Sequence, residues 1–196
     1  VQVLAVEVSP PVLTHVGNPL IRGLVRWVGD DLRTIGYGTS LRGRLDQGTF
    51  FSQPLQGDGM ITARLVSLQM STPGFAGITL RSSPAGDSAH VSIGLTGQRL
   101  LRVLARTSAG GQTATLASRT LTGVPPIWLR VARSGGVLTA SSSVDGNVWQ
   151  VEATLPTTTV SLGTAIEAGT FTSSGVRNRP TIALFSDFET RPAGIQ

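Results

Sequence analysis

Between Ile127 and Trp149 the chain runs Ile-Trp-Leu-Arg-Val-Ala-Arg-Ser-Gly-Gly-Val-Leu-Thr-Ala-Ser-Ser-Ser-Val-Asp-Gly-Asn-Val-Trp. Ile127, Leu129 and Val131 alternate with Trp128, Arg130 and Ala132, the period of two of a half-buried strand. Ser134-Gly135-Gly136 and Asp145-Gly146-Asn147 interrupt the alternation with residues that tolerate positive φ, as tight hairpins require. Three extended runs joined so closely form an antiparallel β-meander, and any fold for this chain has to contain it.

The same grammar covers most of the sequence. Ile61, Ala63 and Leu65 form one inward row; Ala76, Ile78 and Leu80 form another. Ala89, Val91, Ile93 and Leu95, then Leu101, Val103 and Ala105, continue the pattern. Val1 to Val8 reads as a strand that Ser9-Pro10-Pro11 stops. Val160 to Ile166 and Thr181 to Phe188 read as closing strands. Gly17-Asn18-Pro19 has the form of a helix start, with Asn as cap and Pro at the first helical position. Leu20, Ile21, Leu24, Val25 and Val28 would then share the apolar face of a short basic helix. Turn signals recur at roughly ten-residue spacing elsewhere, so the expected fold is all-β, an antiparallel two-sheet sandwich with one short N-terminal helix. No linker or repeat divides the 196 residues, which suits a single domain. Residues 1–48 are an N-terminal strand and arm region of open role, and 49–190 are the core.

Composition removes several classes of function. With no cysteine there is neither a disulfide framework nor thiolate chemistry. All 16 basic residues are arginine, and the net charge is +5. The arginines are scattered rather than gathered into a stripe with interleaved aromatics, so nucleic acid is not an expected partner. No run of about 18 apolar residues is present to span a membrane as a helix. Low charge with abundant Gly, Ser and Thr suits an exported sandwich. The opening Val1-Gln2-Val3 has the form of a trimmed end, and an extracytoplasmic location, peripheral to any membrane, is the expectation.

Phe51-Ser52-Gln53-Pro54-Leu55-Gln56-Gly57-Asp58-Gly59-Met60-Ile61-Thr62-Ala63-Arg64 is similar to a "qPL-GDG-i-ARv" block, and Ala76 to Ser82 to an "AGvmiR-S" strand, of a bacterial group of concanavalin A-like modules labelled "regulation of enolase-like". Trp128 to Gly135 resembles "WvRl-R-G", Ser143 to Trp149 resembles "S-DG-W", and Ala183 to Phe188 resembles its closing strand. The likeness covers residues 50–188. It implies a jelly-roll sandwich with one concave and one convex face. In the wider superfamily such modules bind glycans, act as glycosidases, or serve as adhesive and structural domains.

The residues offer little catalytic chemistry. Retaining and inverting glycosidases hold two carboxyls about 5–5.5 or 6.5–9.5 Å apart. The superfamily's Glu-x-Asp-x-(x)-Glu string is absent, and Asp187 with Glu189 is the nearest pair. His15 and His90 are the only histidines, so no catalytic or metal residue is assigned and no cofactor is expected. Asp58, Asp87 and Asp145 sit in Gly-containing turns, which they stabilise through Asx hydrogen bonds unless they share a calcium ion. Binding remains. Arg81, His90, Arg102 and Arg106, with Leu100 and Leu104, share one outward face if their strands are neighbours. With Arg22 and Arg26 of the N-terminal segment they suit docking onto another protein. The expected role is therefore a non-catalytic structural or extrinsic subunit of a larger assembly, at a membrane surface if attached. Carbohydrate binding is the alternative, with Tyr37 and Trp128 as candidate platforms. Trp128 is either such a platform or a second-layer core residue, and Trp149, in the row of Val151, is expected in the core. A glycosidase is the least supported reading.

Overall fold

The computed structural model describes residues 9–39, 41–70, 73–97, 99–176 and 178–193; the expected strand over Val1–Val8 lies outside them. Among the described residues, fourteen strands form two antiparallel sheets of seven. They are β1 (Val12–Val16), β2 (Leu24–Val28), β3 (Asp31–Gly36), β4 (Gly48–Gln56), β5 (Gly59–Gln69), β6 (Phe75–Arg81) and β7 (His90–Thr96). The chain continues through β8 (Leu100–Arg106), β9 (Ala114–Thr120), β10 (Ile127–Ser134), β11 (Val137–Ser143), β12 (Gln150–Pro156), β13 (Ala165–Ser173) and β14 (Thr181–Pro192). The first sheet is ordered β1-β4-β13-β6-β7-β8-β9 and the second β12-β11-β10-β5-β14-β3-β2. The two-sheet sandwich expected from alternation, and the jelly roll that the resemblance implies, is the fold observed.

The period-2 rows explain how the sheets meet. Ile61, Ala63 and Leu65 of β5, Ile127, Leu129 and Val131 of β10, and Ile78, Leu80, Val91 and Ile93 of β6 and β7 are buried in one core cluster. Phe185 of β14 and Leu32 of β3 complete it. Full burial of such side chains contributes roughly 1.5–3 kcal/mol each. The 127–149 meander pairs as read: Trp128 lies opposite Ser143 and Ser134 opposite Val137.

The N-terminal helix does not form. Gly17 and Asn18 both take positive φ, 66° and 52°. A helix cap needs extended φ instead. The chain turns there and returns as β2, an edge strand paired to β3 with Arg26 opposite Arg33. The 3.6-residue spacing of Leu20, Ile21, Leu24 and Val28 creates no buried face, because all four side chains are exposed. Among the described residues the only helical element is a 3-10 turn over Thr157–Thr159.

Candidate functional site

The two outer faces of the sandwich differ in kind. On the first sheet, register places Arg81 beside His90 and His90 beside Arg106. The structure thus gathers the expected docking set onto one face, then covers it. Arg81, His90 and Arg106 are fully buried, and so is Leu104, so none of the four can present a docking surface. Arg102 and Leu100 are half-buried at the rim. The covering segment is the stretch between Gly38 and Gln47. Its Leu41 packs into a second apolar cluster with Phe50, Phe75, Leu104 and Phe171.

Asp46 anchors that segment. Its carboxylate accepts from Arg81 Nη1 at 2.8 Å, and from Arg106 Nη1 and Nη2 at 2.9 and 2.5 Å. The remaining guanidinium donors meet carbonyls of Gly43, Ser83, Ala85, Gly86, Ser88 and Gly111. His90 Nδ1 lies 2.9 Å from Ser92 Oγ. Ser92 donates to Thr79, which donates to the Val91 carbonyl. Both hydroxyl protons are then used, so Nδ1 carries the ring proton and donates to Ser92. Burial, then the charges of Arg81 and Arg106, hold the His90 pKa well below its ordinary value. The group is closed to substrate and behaves as a structural knot. No periodic pattern marks Asp46 in the sequence, which is why it was not singled out.

The outer face of the second sheet is open. Trp128 and Arg130 point outward from β10 because Ile127, Leu129 and Val131 point inward. The Ser143–Trp149 turn folds back over them. Asp145 fixes this turn by accepting from the backbone N–H of Asn147 and of Val148, both at 2.9 Å, and its pKa is lowered by those bonds. Gly146, at φ 80°, lies flat against the Trp128 ring; a Cβ there would come within 2.9 Å of it. Trp149 is outside the core, contrary to expectation. A β-bulge between Ala140 and Ser141 separates it from the simple alternation of β12, and its indole N–H donates to the Gly146 carbonyl. The Arg130 guanidinium stacks 3.7 Å from the centre of the Trp149 ring.

These groups line a depression of about 160 Å³, closed by Met60, Thr62, Glu189 and Arg191. Burial, then the charge of Arg191, lowers the Arg130 pKa, so two cations share the site. Glu189 is held at 2.5 Å by Arg191. Such a site can stack a ring and hydrogen-bond its substituents. Trp128 is half-buried here. Tyr37, the other candidate platform, follows β3, with β14 and β5 between β3 and β10, and is not brought to this depression. Larger hollows exist: one of about 490 Å³ between Pro19, Leu20, Arg22 and Gln47 has no aromatic ring in its lining, and one of about 400 Å³ between Arg119, Leu121, Val148 and Gln150 shares Trp149. Arg22 and Arg26 are both exposed, on separate hollows.

Among the described residues the carboxylates are engaged singly rather than paired with one another. A bulge between Ser186 and Glu189, with Asp187 at φ 51°, breaks the alternation on which a shared face for Asp187 and Glu189 depended. Glu167 accepts from Ser52, and Glu152 from Arg119 and Ser142. Asp58 accepts from the Gly135 N–H, a turn role like that of Asp145. Among the described residues no three His, Cys, Asp or Glu side chains are grouped to hold a metal.

No family model matches the chain, and no curated protein does. Solved structures share its fold. A functionally unknown protein from Saccharomyces cerevisiae superposes with a TM-score of 0.72 at 17% identity, over 94% of this chain and 97% of that one. A GH43 protein from Bacillus licheniformis gives 0.65 at 17% identity over 83% of this chain, which spans only 33% of that protein. The carbohydrate-binding module CBM66 from Bacillus subtilis gives 0.57 at 11% identity, over 91% and 94%. At these identities the likeness establishes the jelly-roll fold alone.

Proposed function

We propose that this chain is a non-catalytic carbohydrate-binding module acting outside the cytoplasm, with its ligand seated in the Trp128–Arg130–Trp149 depression. The observation that carries the reading is the open hollow itself: two indoles, one stacked on a guanidinium, beside hydroxyl and carboxylate groups. Aromatic rings suit the apolar faces of sugars, and planar charged groups suit their hydroxyls. A fold shared with a carbohydrate-binding module supports it. The arginine–leucine face, which suggested a protein partner, loses four of its six residues to burial.

The test is binding of the purified chain to a glycan array and to immobilised polysaccharides, with Trp128→Ala and Trp149→Ala in parallel. Retention on at least one glycan is expected, weakened about tenfold by either substitution, which corresponds to roughly 1.4 kcal/mol. Silence across the array, or binding that ignores both substitutions, rejects the site. One observation favours protein docking as the second reading. Edge strand β2 leaves Leu24, Trp27 and Val28 about half exposed, with Arg26 among them. An edge of this kind pairs readily with another strand.

A further inference from the structure

The outer face of the second sheet also carries a diagonal of arginines. Arg130 of β10 lies opposite Thr62; Arg64, two residues further along β5, lies opposite Trp128. On the far side of β14, Leu184 lies opposite Arg33, and Arg33 opposite Arg26. Alternation points these side chains outward, since Ala63, Leu65, Leu32 and Thr34 beside them in sequence are buried. From β10 to β2 the line crosses four strand spacings, about 19 Å measured across the strands at roughly 4.8 Å each, and it also advances along them from the row of Thr62 to that of Ser67. A hollow marks each end: the 160 Å³ depression at Arg130, and one of about 400 Å³ between Arg26, Arg33, Gln69 and Leu184.

These guanidiniums carry no carboxylate, although Arg130 stacks on Trp149 and donates from Nε to Thr62 Oγ1. Among the described residues Arg26, Arg33, Arg64 and Arg130 make no ion pair. Arg64 Nε is shielded from water and has no acceptor. The arginines of the opposite face differ, because Asp46 and a ring of carbonyls engage them. A row of guanidiniums without carboxylate partners recognises planar oxyanions in bidentate fashion, and its length suits an extended chain.

We propose that this diagonal binds an acidic polysaccharide, with the carboxylate or sulfate groups of successive sugars on Arg130, Arg64 and Arg33. The inference rests on the carbohydrate reading and names its ligand class. A single-stranded polynucleotide also offers anions, but it needs rings along the whole track. Here the indoles cluster at one end, and Trp27 packs edge-on against Phe51.

The experiment is isothermal titration with two matched pairs: polygalacturonate against its methyl ester, and dextran sulfate against dextran. At least one charged member is expected to bind about tenfold more tightly than its neutral counterpart, and which one does so separates carboxylate from sulfate. Arg64→Gln and Arg130→Gln are each expected to weaken that binding about fivefold. Arg99→Gln removes the same charge from the exposed β7–β8 turn and is expected to change nothing. Equal loss in the Arg99 variant means general charge attraction and overturns the proposal. So does equal binding of charged and neutral members, which leaves the carbohydrate reading standing. Binding of oligo-dT as tightly as the charged saccharides overturns the glycan assignment. No binding to any of the four, with a silent array, overturns both readings.

Discussion

Asp46 is one carboxylate holding two guanidiniums, with all three groups out of water. Removing one partner of a buried charged group leaves the others uncompensated, which costs about 3–5 kcal/mol. Asp46→Asn is therefore expected to lower the unfolding free energy by that amount in urea melts. His90, at the centre of the same knot, sets a pH dependence. Its Nε2 lies 4.0 Å from Asp46, yet the carboxylate is shared between the two arginines and does not reverse the lowering of its pKa. The unfolded imidazole takes up its proton near pH 6.5, while the folded one stays neutral well below that. Stability is thus complete above about pH 6.5 and declines as the pH falls beneath it. Melts at pH 7.5 and 5.5 are expected to show this decline, and His90→Gln is expected to flatten it. A native chain equally stable at both values would show that the ring is charged in the fold.

At the scale of elements, what the residues announced was set by period. Rows such as Ile61-Ala63-Leu65 have one buried face each, so two-residue alternation located them and put Trp128 on the far side. Where a bulge or a left-handed residue intervenes, the count slips. The row of Trp149 changes face across the bulge at Ala140/Ser141, and Asn18 resembles a cap because its positive φ leaves no mark in the sequence. The covering stretch between Gly38 and Gln47 was illegible for another reason: its burial depends on partners 35 and 60 residues away. The Ser143–Trp149 turn was legible as a turn, but its role in roofing the depression was not. Gly146→Ala tests that role. A Cβ collides with the Trp128 ring, and the site also needs φ near 80°. The substitution is expected to destabilise the chain by about 1 kcal/mol or more and to weaken ligand binding through displacement of the indole. Indole fluorescence that is unchanged from the native chain would contradict it.

For the molecule as a whole, one face is covered by the chain's own loop and the other is left open, and the proposed glycan site lies on the open one, that of the second sheet. That sheet is assembled from distant parts. Its middle is β10, β5 and β14, and β14 lies between β5 and β3. A fragment ending before Thr181 leaves Leu32 without its neighbour strand and removes Phe185 from the core. Such a fragment is expected to show no cooperative melt, and a sharp transition from it would mean that the remaining strands close up alone. During synthesis, strands emerging from the ribosome cannot complete this layer until the segment from 181 onward has followed them. The nascent polypeptide must then wait with oily strand edges uncovered, and a chaperone that shields such edges gives the greatest benefit in that interval.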